Sequence, residues 1–143
     1  MQIRVMNIKD YDRVYALWTG TPGMGMRSLD DSPAGIGRFL DRNPASCFVA
    51  EEGGFLNGAI LCGHDGRRGY IYHAAVHPDF RRRGIGRALV QSALQALETE
   101  GILKAALVVF ETNESGNRFW ESVGFSQRGD LVYRNKSLNS QNI

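Results

Sequence analysis

Hydrophobic and polar positions change their period along the chain, and the first part predicts a strand followed by a helix. Residues 2–6 alternate polar and apolar side chains, as a strand does. Asn7 and Asp10 then have the spacing of a reciprocal helix cap, and the apolar positions after them recur with helical spacing. These positions are Tyr11, Val14, Tyr15 and Trp18. Three glycines and a proline within residues 19–26 predict that an irregular loop follows this helix.

A second helix is indicated by its start and stop signals. Ser32 is a favoured N-cap residue, and Pro33 suits the first helical position. The residue before Pro44 avoids the α region, so the helix should end there. Its apolar face comprises Ile36, Phe39 and Leu40.

The middle of the chain has the pattern of three strands, a long helix and a further strand. Apolar runs at 47–51 and 56–62 flank a glycine pair, which predicts an antiparallel hairpin. Residues 70–76 are rich in aromatic and β-branched side chains and predict a central strand. Residues 84–100 have one apolar helical face, and an apolar strand pattern follows at 104–110. These last three segments form a crossover unit whose two strands should be parallel.

The C-terminal part predicts one more helix and closing strands. Asn113 or Thr112 can cap the helix, which ends at Gly124. Residues 125–136 predict one or two strands, and the tail 139–143 should be frayed. The predicted order is β-α-α-β-β-β-α-β-α-β-β, a mixed sheet with helices on both faces, in the α/β class and of the α+β type.

Length and composition favour one ordinary domain. The chain has 143 residues, of which 43% are apolar and 22% charged, so disorder and a disulfide-dense secreted scaffold are not expected. We therefore expect a single domain over residues 1–138. The longest apolar run, 105–110, is too short to span a membrane, and the N-terminus lacks a signal-peptide pattern. A cytoplasmic protein without a membrane partner, monomeric or homodimeric, is expected.

The cysteines and histidines do not predict a metal site. Cys47 and Cys62 lie in apolar strand-like runs, where free cysteine usually behaves as a small buried hydrophobe. His64, His73 and His77 do not have zinc-ligand spacing. The expectation is two buried thiols and no metal.

Charge is distributed unevenly along the chain. The formal net charge is only +2, yet residues 67–87 contain six arginines and one acid, Asp79. The arginines are Arg67, Arg68, Arg81, Arg82, Arg83 and Arg87. A concentrated cationic segment in a nearly neutral protein indicates an anionic partner such as a phosphorylated cofactor, with a nucleic-acid patch as the alternative.

Four of these arginines surround a glycine-containing turn at the start of the long predicted helix. The first N–H groups of a helix lack intrahelical partners and attract anions. Gly84 and Gly86 remove Cβ atoms, so a diphosphate can approach the backbone. The alternative is a tight turn with solvated arginines, but the four charges favour the anion site. Leu89 stands where a dinucleotide-binding motif has its third glycine, and Arg87 stands where a P-loop has lysine, so both motifs are excluded.

The turn resembles the cofactor turn of the GNAT superfamily of acetyl-CoA-dependent N-acetyltransferases, Arg/Gln-x-x-Gly-x-Gly/Ala. Residues 81–86 fit this pattern, and the resemblance continues through 74–78 and 113–125, so that it covers essentially the whole chain. It implies that the two central parallel strands splay apart at their ends. It also implies acetyl-CoA as cosubstrate and no nucleic-acid partner.

The resemblance also implies which residues contact acetyl-CoA. Backbone groups near Ala75 and Val76 would bind the pantetheine arm, and the N–H of Val76 would polarise the thioester carbonyl. Residues 82–87 would meet the diphosphate. Asn113 and Asn117 would contact the arm. The alternative is that Asn113 only caps the last helix and that Asn117 only lies on its solvated face. The complete expected set is Ala75, Val76, Arg81, Arg82, Arg83, Gly84, Ile85, Gly86, Arg87, Asn113 and Asn117.

The spacing of the residues does not fix the proton-transfer groups. A neutral amine must attack, so a base is needed, and Glu111 and His73 are the candidates. Many relatives have a tyrosine acid where this chain has Trp120, and indole is not a useful proton source. The acid is therefore Tyr72, Tyr133 or water.

The acceptor pocket is expected in the loop between the first two helices. Trp18, Met24, Met26 and Arg27 are its candidate lining residues, and Arg27 could hold a carboxylate. Asp30 and Asp31 could instead contact a cationic acceptor, and an ordinary surface loop is the alternative. The expected function is acetyl transfer to a primary amine of a small molecule, amino acid or peptide by direct attack. The alternatives are a non-catalytic acyl-CoA-binding module and a nucleic-acid-binding domain.

Overall fold

Five strands form one mixed sheet in the computed structural model, which describes residues 1–143, and helices cover both faces. The spatial order of the strands follows the chain. The strands are β1 (Gln2–Val5), β2 (Phe48–Glu52), β3 (Phe55–His64), β4 (Gly69–Val76) and β5 (Ala105–Leu107). The helices are α1 (Tyr11–Thr19), α2 (Pro33–Arg42), α3 (Ile85–Thr99) and α4 (Glu114–Ser122). This confirms the predicted mixed α/β architecture.

The pairing of β4 with β5 is short, and it creates an opening in the sheet. Strands β1 to β4 pair antiparallel, whereas β5 pairs with β4 in parallel, as predicted. The parallel pairing runs only from Gly69 opposite Ala105 to Ile71 opposite Leu107. The rest of β4 has no partner on its β5 side. The predicted splay of the central parallel strands is thus confirmed.

A β-bulge in β4 changes which way its side chains face. Leu61 pairs with His73 and Cys62 pairs with Ile71, which leaves Tyr72 as the extra residue. Ile71 packs in the core under α3, whereas Ala75 packs in the core under α1 and α2. The bulge thereby points His73, two residues before Ala75, to the α1–α2 face.

Each face of the sheet has its own apolar core. The core under α1 and α2 includes Val14, Trp18, Ile36, Leu40, Val49 and Leu61. The core under α3 includes Ile60, Ile71, Ile85, Leu89, Val90 and Leu97. The sheet is therefore anchored from both sides, which fixes the position of β4 between them.

The predicted helix-capping signals are observed. Asn7 and Asp10 form the reciprocal cap, although it encloses a short 3-10 turn (Ile8–Asp10) that leads into α1. Ser32 accepts a hydrogen bond from the Gly35 N–H at the start of α2. Asn113 accepts one from the Gly116 N–H at the start of α4.

The predicted closing strands at 125–136 are wrong, because this segment is irregular. β5 is also shorter than the predicted 104–110, and Val108 and Phe110 are each 57% exposed. The chain leaves the sheet after Leu107, so β5 offers a three-residue edge that cannot support further long strands. Leu131, Val132 and Tyr133 consequently remain exposed, whereas Phe125 packs half-buried against the core under α3.

The C-terminal tail is hydrogen-bonded, in contrast to the predicted frayed end. The Asn142 side-chain oxygen accepts from the N–H groups of Leu29 and Asp30, both at 3.0 Å. Its amide nitrogen donates to the Asp30 carboxylate at 2.9 Å, and the Ser28 N–H donates to the Ile143 carbonyl at 2.7 Å. A side-chain amide provides both donors and acceptors. Asn142 can therefore form hydrogen bonds with backbone N–H groups and with a carboxylate of the α1–α2 loop at the same time.

The two cysteines are buried free thiols, as predicted. Cys47 belongs to the core under α1 and α2, and Cys62 to the core under α3, so they lie on opposite faces of the sheet. Burial raises the pKa of both thiols to about 12. No helix of the fold has the length and apolar character needed to cross a bilayer.

A charged network joins β1 and β2 to the start of α1. The Arg4 guanidinium donates to both oxygens of the buried Asp10 carboxylate, at 2.9 and 2.7 Å, and to Glu51 at 2.6 Å. Arg13 adds a second contact to Asp10 at 3.1 Å. Burial alone would raise the pKa of Asp10, but the hydrogen bonds from Arg4 and the Asn7 N–H outweigh it and hold that pKa below its ordinary value.

Replacing Asp10 by asparagine should cost about 2 kcal/mol of stability near neutral pH, because Arg4 and Arg13 lose a charged partner. Since the pKa of Asp10 is lowered from 3.8, its contribution is complete above that value and disappears as the pH falls through the folded pKa. Urea unfolding of both proteins should therefore show a difference near neutrality that shrinks in strong acid. The exposed Asp12→Asn variant is the control, and an equal loss at every pH would contradict the assignment.

Candidate functional site

The splayed part of β4 presents unpaired backbone groups to the gap beside β5. The His77 N–H donates to the Asn57 carbonyl of β3 at 2.8 Å. Because backbone groups alternate along a strand, the N–H and carbonyl of Val76 point away from β3 and into the gap. The Val76 carbonyl accepts from Arg81 Nε at 3.3 Å, and its N–H has no partner in the chain. This edge can pair with an extended ligand.

The turn after β4 holds a run of free backbone donors. None of the N–H groups of residues 82–87 has an acceptor in the chain, and the first helical bond runs from the Ala88 N–H to the Gly84 carbonyl at 3.0 Å. Arg82 and Gly84 have positive φ values of 64° and 79°. Left-handed residues at alternate positions make a concave backbone that binds anions. The turn therefore fits the diphosphate that the sequence resemblance implies.

The two glycines of the turn have different surroundings. A Cβ at Gly84 would have no atom within 4 Å, so the space in front of this residue is open. A Cβ at Gly86 would lie 3.2 Å from the Phe119 ring and 3.7 Å from Val76. Gly84 thus leaves room for a ligand, whereas Gly86 lets α3 pack closely against α4. Ile85 points into the core, so only its backbone can reach a ligand.

The arginines at the turn differ in the number of contacts that their side chains make. Arg83 lies over the Phe80 ring at 5.0 Å and is 3.8 Å from Glu52. Arg87 donates to the Ser122 carbonyl at 3.4 Å, and the exposed Arg82 has no side-chain partner. Among the arginines at the turn, Arg82 is thus the one left free.

Arg67 and Arg68 do not belong to this site. They precede β4, whereas the turn follows it, and a strand of eight residues spans about 26 Å. The six arginines that are close in the sequence therefore form two separate groups.

The start of α4 is shaped by two asparagine side chains. Asn113 caps the helix, and Asn117 Nδ2 donates to the carbonyls of Asn113 at 2.8 Å and Phe110 at 3.1 Å. Asn113 Nδ2 and Asn117 Oδ1 remain without partners. Both amides therefore have a structural role, and each keeps one polar atom for a ligand.

Trp120 packs between two aromatic rings near the end of α4. Its ring meets Phe119 and Phe125 edge to face, with centroid distances of 5.1 and 5.3 Å. These rings line the core under α3. The indole thus fills the corner between α4 and the chain that follows it.

The loop between α1 and α2 reaches across to the start of α4. The position of a Cβ on Gly23 lies 3.4 Å from the Asn113 amide, and that on Gly25 lies 3.8 Å from the Phe110 ring. Met24 and Met26 pack half-buried against the core under α1 and α2. The loop therefore covers one side of the gap between β4 and β5.

The prediction that Trp18 lines the acceptor pocket is wrong. Trp18 is 0% exposed, because it projects from α1 into the core above β4. Its ring lies 4.8 Å from the His73 ring. Arg27, in contrast, is exposed and its guanidinium has no partner, so it is free to contact a ligand.

His73 is held by an acidic partner that the sequence analysis did not assign to it. His73 Nε2 lies 2.8 Å from Asp31 Oδ1, and both residues are buried. The Asp31 Oδ2 accepts from the Arg27 N–H at 2.7 Å, and the Asp31 carbonyl accepts from the Tyr11 hydroxyl at 2.6 Å. His73 and Asp31 are 42 residues apart, so no spacing rule could join them.

The other predicted proton-transfer residues are more exposed. Glu111 lies in the turn after β5, and its carboxylate has no partner. Tyr72 packs edge-on against Phe39 and 4.7 Å from Tyr70. Burial, together with Asp30 and Tyr133, raises the pKa of Tyr72. Tyr133 itself is 66% exposed.

Known proteins are similar to this chain in sequence and in fold. Residues 11–125 match the acetyltransferase (GNAT) family. An acetyltransferase of Yersinia enterocolitica is 32% identical over 132 residues, which are 92% of each chain. The structure of Ard1 from Thermoplasma volcanium is similar with a TM-score of 0.76 and 26% identity, covering 87% of this chain and 82% of that one. A PaiA N-acetyltransferase from Thermoplasma acidophilum, solved with coenzyme A, has a TM-score of 0.74 and 20% identity, covering 87% and 89%.

Replacing Gly86 by valine should destabilise the fold, because the first added carbon is already 3.2 Å from Phe119 and the branches have no space beyond it. We expect a loss of about 2 kcal/mol in urea unfolding. Gly129→Val, where the added carbon meets nothing within 4 Å, is the matched control. Equal stability of the two variants would show that α4 does not pack on the turn as described.

Proposed function

Because the chain belongs to the acetyltransferase (GNAT) family, we propose that it transfers an acetyl group from acetyl-CoA to a primary amine of a small molecule, amino acid or peptide. The amine attacks directly, without a covalent enzyme intermediate. Acetyl-CoA, when bound, supplies the acetyl group as an activated thioester. The residues of this chain bind and orient the two substrates and transfer the protons.

The observation that carries this proposal is the run of six free N–H groups at 82–87 beside the splayed edge of β4. Backbone donors at a helix N-terminus bind phosphate oxygens without any side-chain rearrangement. Arg82 is free to add a positive charge there, and Gly84 leaves the approach open. These residues support a bound diphosphate rather than a merely structural turn.

The edge of β4 supports the binding of the pantetheine arm. An extended ligand with amide groups can pair with a strand edge as another strand would. The free Val76 N–H is oriented into the same gap, where it can stabilise negative charge that develops on a carbonyl oxygen. Ala75 and the free amide atoms of Asn113 and Asn117 complete the proposed contacts.

The acceptor side is proposed to lie under the α1–α2 loop. Met24 and Met26 give this loop an apolar inner surface, while Arg27 is free to bind an acceptor carboxylate. Glu111 and His73 are the candidate bases, and Tyr72 and Tyr133 hold protons that could be donated. Trp120 is proposed to pack and not to transfer protons, because its indole N–H is a donor without useful acidity.

Coenzyme A should stabilise the folded chain, because the cradle at 82–87 exists only in the native state. At about 100 times its Kd, the ligand adds roughly 2.7 kcal/mol, a shift of several degrees in Tm. Gly84→Val should abolish this shift, because the side chain fills the open approach. Gly101 has φ +81° and an equally open Cβ position, so Gly101→Val carries the same backbone strain away from the site and should keep the shift. A shift retained by Gly84→Val, or absent from the wild type at millimolar coenzyme A, would contradict the site.

Thiol release from acetyl-CoA tests the reaction itself. A panel of spermidine, L-lysine and a free N-terminal alanyl peptide covers the proposed acceptor classes, and at least one should give release above the background without amine. Binding of acetyl-CoA without release by any amine would favour the non-catalytic binding module. Tight, salt-dependent binding of duplex DNA that coenzyme A does not displace would favour the nucleic-acid alternative.

A further inference from the structure

The pair His73–Asp31 is the most completely enclosed charged or titratable contact on the acceptor side of the sheet. Asp31 is 4% exposed and His73 is 8% exposed. The other histidine–carboxylate contacts are His64–Glu100 and His77–Asp79, whose acidic side chains are 44% and 84% exposed. An ion pair or hydrogen bond is costly to enclose unless its geometry is well satisfied, so this buried pair needs an explanation.

The hydrogen bonds of Asp31 determine which nitrogen of His73 carries the hydrogen. An ionised carboxylate only accepts hydrogen bonds, and Asp31 already accepts the Arg27 N–H at Oδ2. The contact of 2.8 Å at Oδ1 therefore requires a hydrogen on His73 Nε2. In the neutral ring, Nδ1 then has a free lone pair.

The free nitrogen is also accessible. His73 Nδ1 has no partner in the chain. The only enclosed side-chain polar atoms without a partner are Trp18 Nε1 and the two amide atoms of Asn57. Nδ1 is therefore reached by solvent, although His73 is largely buried and its ring lies close to that of Trp18.

The position of His73 fits a role in the acceptor reaction. It follows the last residue of β4 that pairs with β5, Ile71, so it lies in the splayed part of the strand. Its partner, Asp31, ends the loop that covers the gap. Glu111 lies in the exposed turn after β5, and no residue orients its carboxylate. Of the two candidate bases, only His73 is oriented by a hydrogen-bond partner.

We propose that Asp31 is a positioning residue that fixes His73 with its hydrogen on Nε2, so that His73 Nδ1 removes a proton from the acceptor ammonium. This inference rests on the proposed acetyltransferase function. One proton passes from the ammonium nitrogen to Nδ1, which leaves a neutral amine with its lone pair. The imidazolium donates from Nε2 to Asp31 and later returns the Nδ1 proton to water.

The Asp31→Asn variant tests this role with minimal change of shape. Its amide oxygen can still accept the Arg27 N–H, which turns the amide nitrogen toward His73 Nε2. A donor at this point forces the ring hydrogen onto Nδ1, which then cannot accept a proton. We expect kcat for the panel amine with the highest turnover to fall by about 10²-fold, while the coenzyme A thermal shift stays unchanged. Glu100→Gln, which alters the exposed pair with His64, should leave both quantities unchanged.

A double-mutant cycle separates positioning from a structural effect on the loop. His73→Gln should lower kcat at least as much as Asp31→Asn, and adding Asp31→Asn to His73→Gln should cause little further loss. Additive losses would mean that Asp31 acts independently of His73, and this would overturn the proposal. If Glu111→Gln abolishes turnover while His73→Gln is active, Glu111 is the base and the proposal is wrong.

The imidazole tautomer gives a readout that does not depend on turnover. The ¹⁵N chemical shifts of His73 in the free wild-type protein, at a pH where the ring is neutral, should show the hydrogen on Nε2, and Asp31→Asn should move it to Nδ1. A wild-type ring with its hydrogen on Nδ1 would refute the inference. Failure of the wild type to transfer acetyl to any panel amine would count against the proposed function, while the tautomer measurement would still decide the pairing.

Discussion

The early end of the parallel pairing between β4 and β5 is the constraint on which the proposed site depends. Three residues of each strand are paired, and beyond Ile71 the edge of β4 is open. An open strand edge inside a sheet leaves backbone donors and acceptors unsatisfied unless a ligand pairs with them. The free N–H groups at 82–87 come after a short 3-10 turn (Pro78–Phe80) that follows β4, so neighbouring parts of the chain offer a strand edge and an anion site.

The rigid parts of the molecule are arranged around this opening. The cores on both faces hold β4 in place, and the close contact between Gly86 and Phe119 sets α4 against the turn. The α1–α2 loop closes the other side, held by Asp31 and by the C-terminal hydrogen bonds to Ser28, Leu29 and Asp30. The proposed cosubstrate contacts thus come mainly from the backbone, and the proposed acceptor contacts come from side chains.

Local signals in the sequence were sufficient for most of the fold. The caps at Asn7, Ser32 and Asn113 satisfy backbone groups within three residues, so their pattern is visible in the sequence. The turn at 82–87 was also predictable, since its glycines and arginines are adjacent. The contact of His73 with Asp31 and the irregular segment 125–136 depend on tertiary position. The His73–Asp31 contact joins residues that are distant in the sequence. The irregular segment follows from the shortness of β5, whose edge has only three residues.

Amide hydrogen exchange followed by NMR, with and without coenzyme A, tests most directly whether this backbone binds the cosubstrate. Coenzyme A should slow exchange at Val76 and at residues 82–87, which have no acceptors in the free chain. The amides of Arg67 and Arg68 already bond to Asp65 and lie at the other end of β4, so they should not change. Protection confined to Arg67 and Arg68, or no protection at the turn when binding is saturated, would contradict the account.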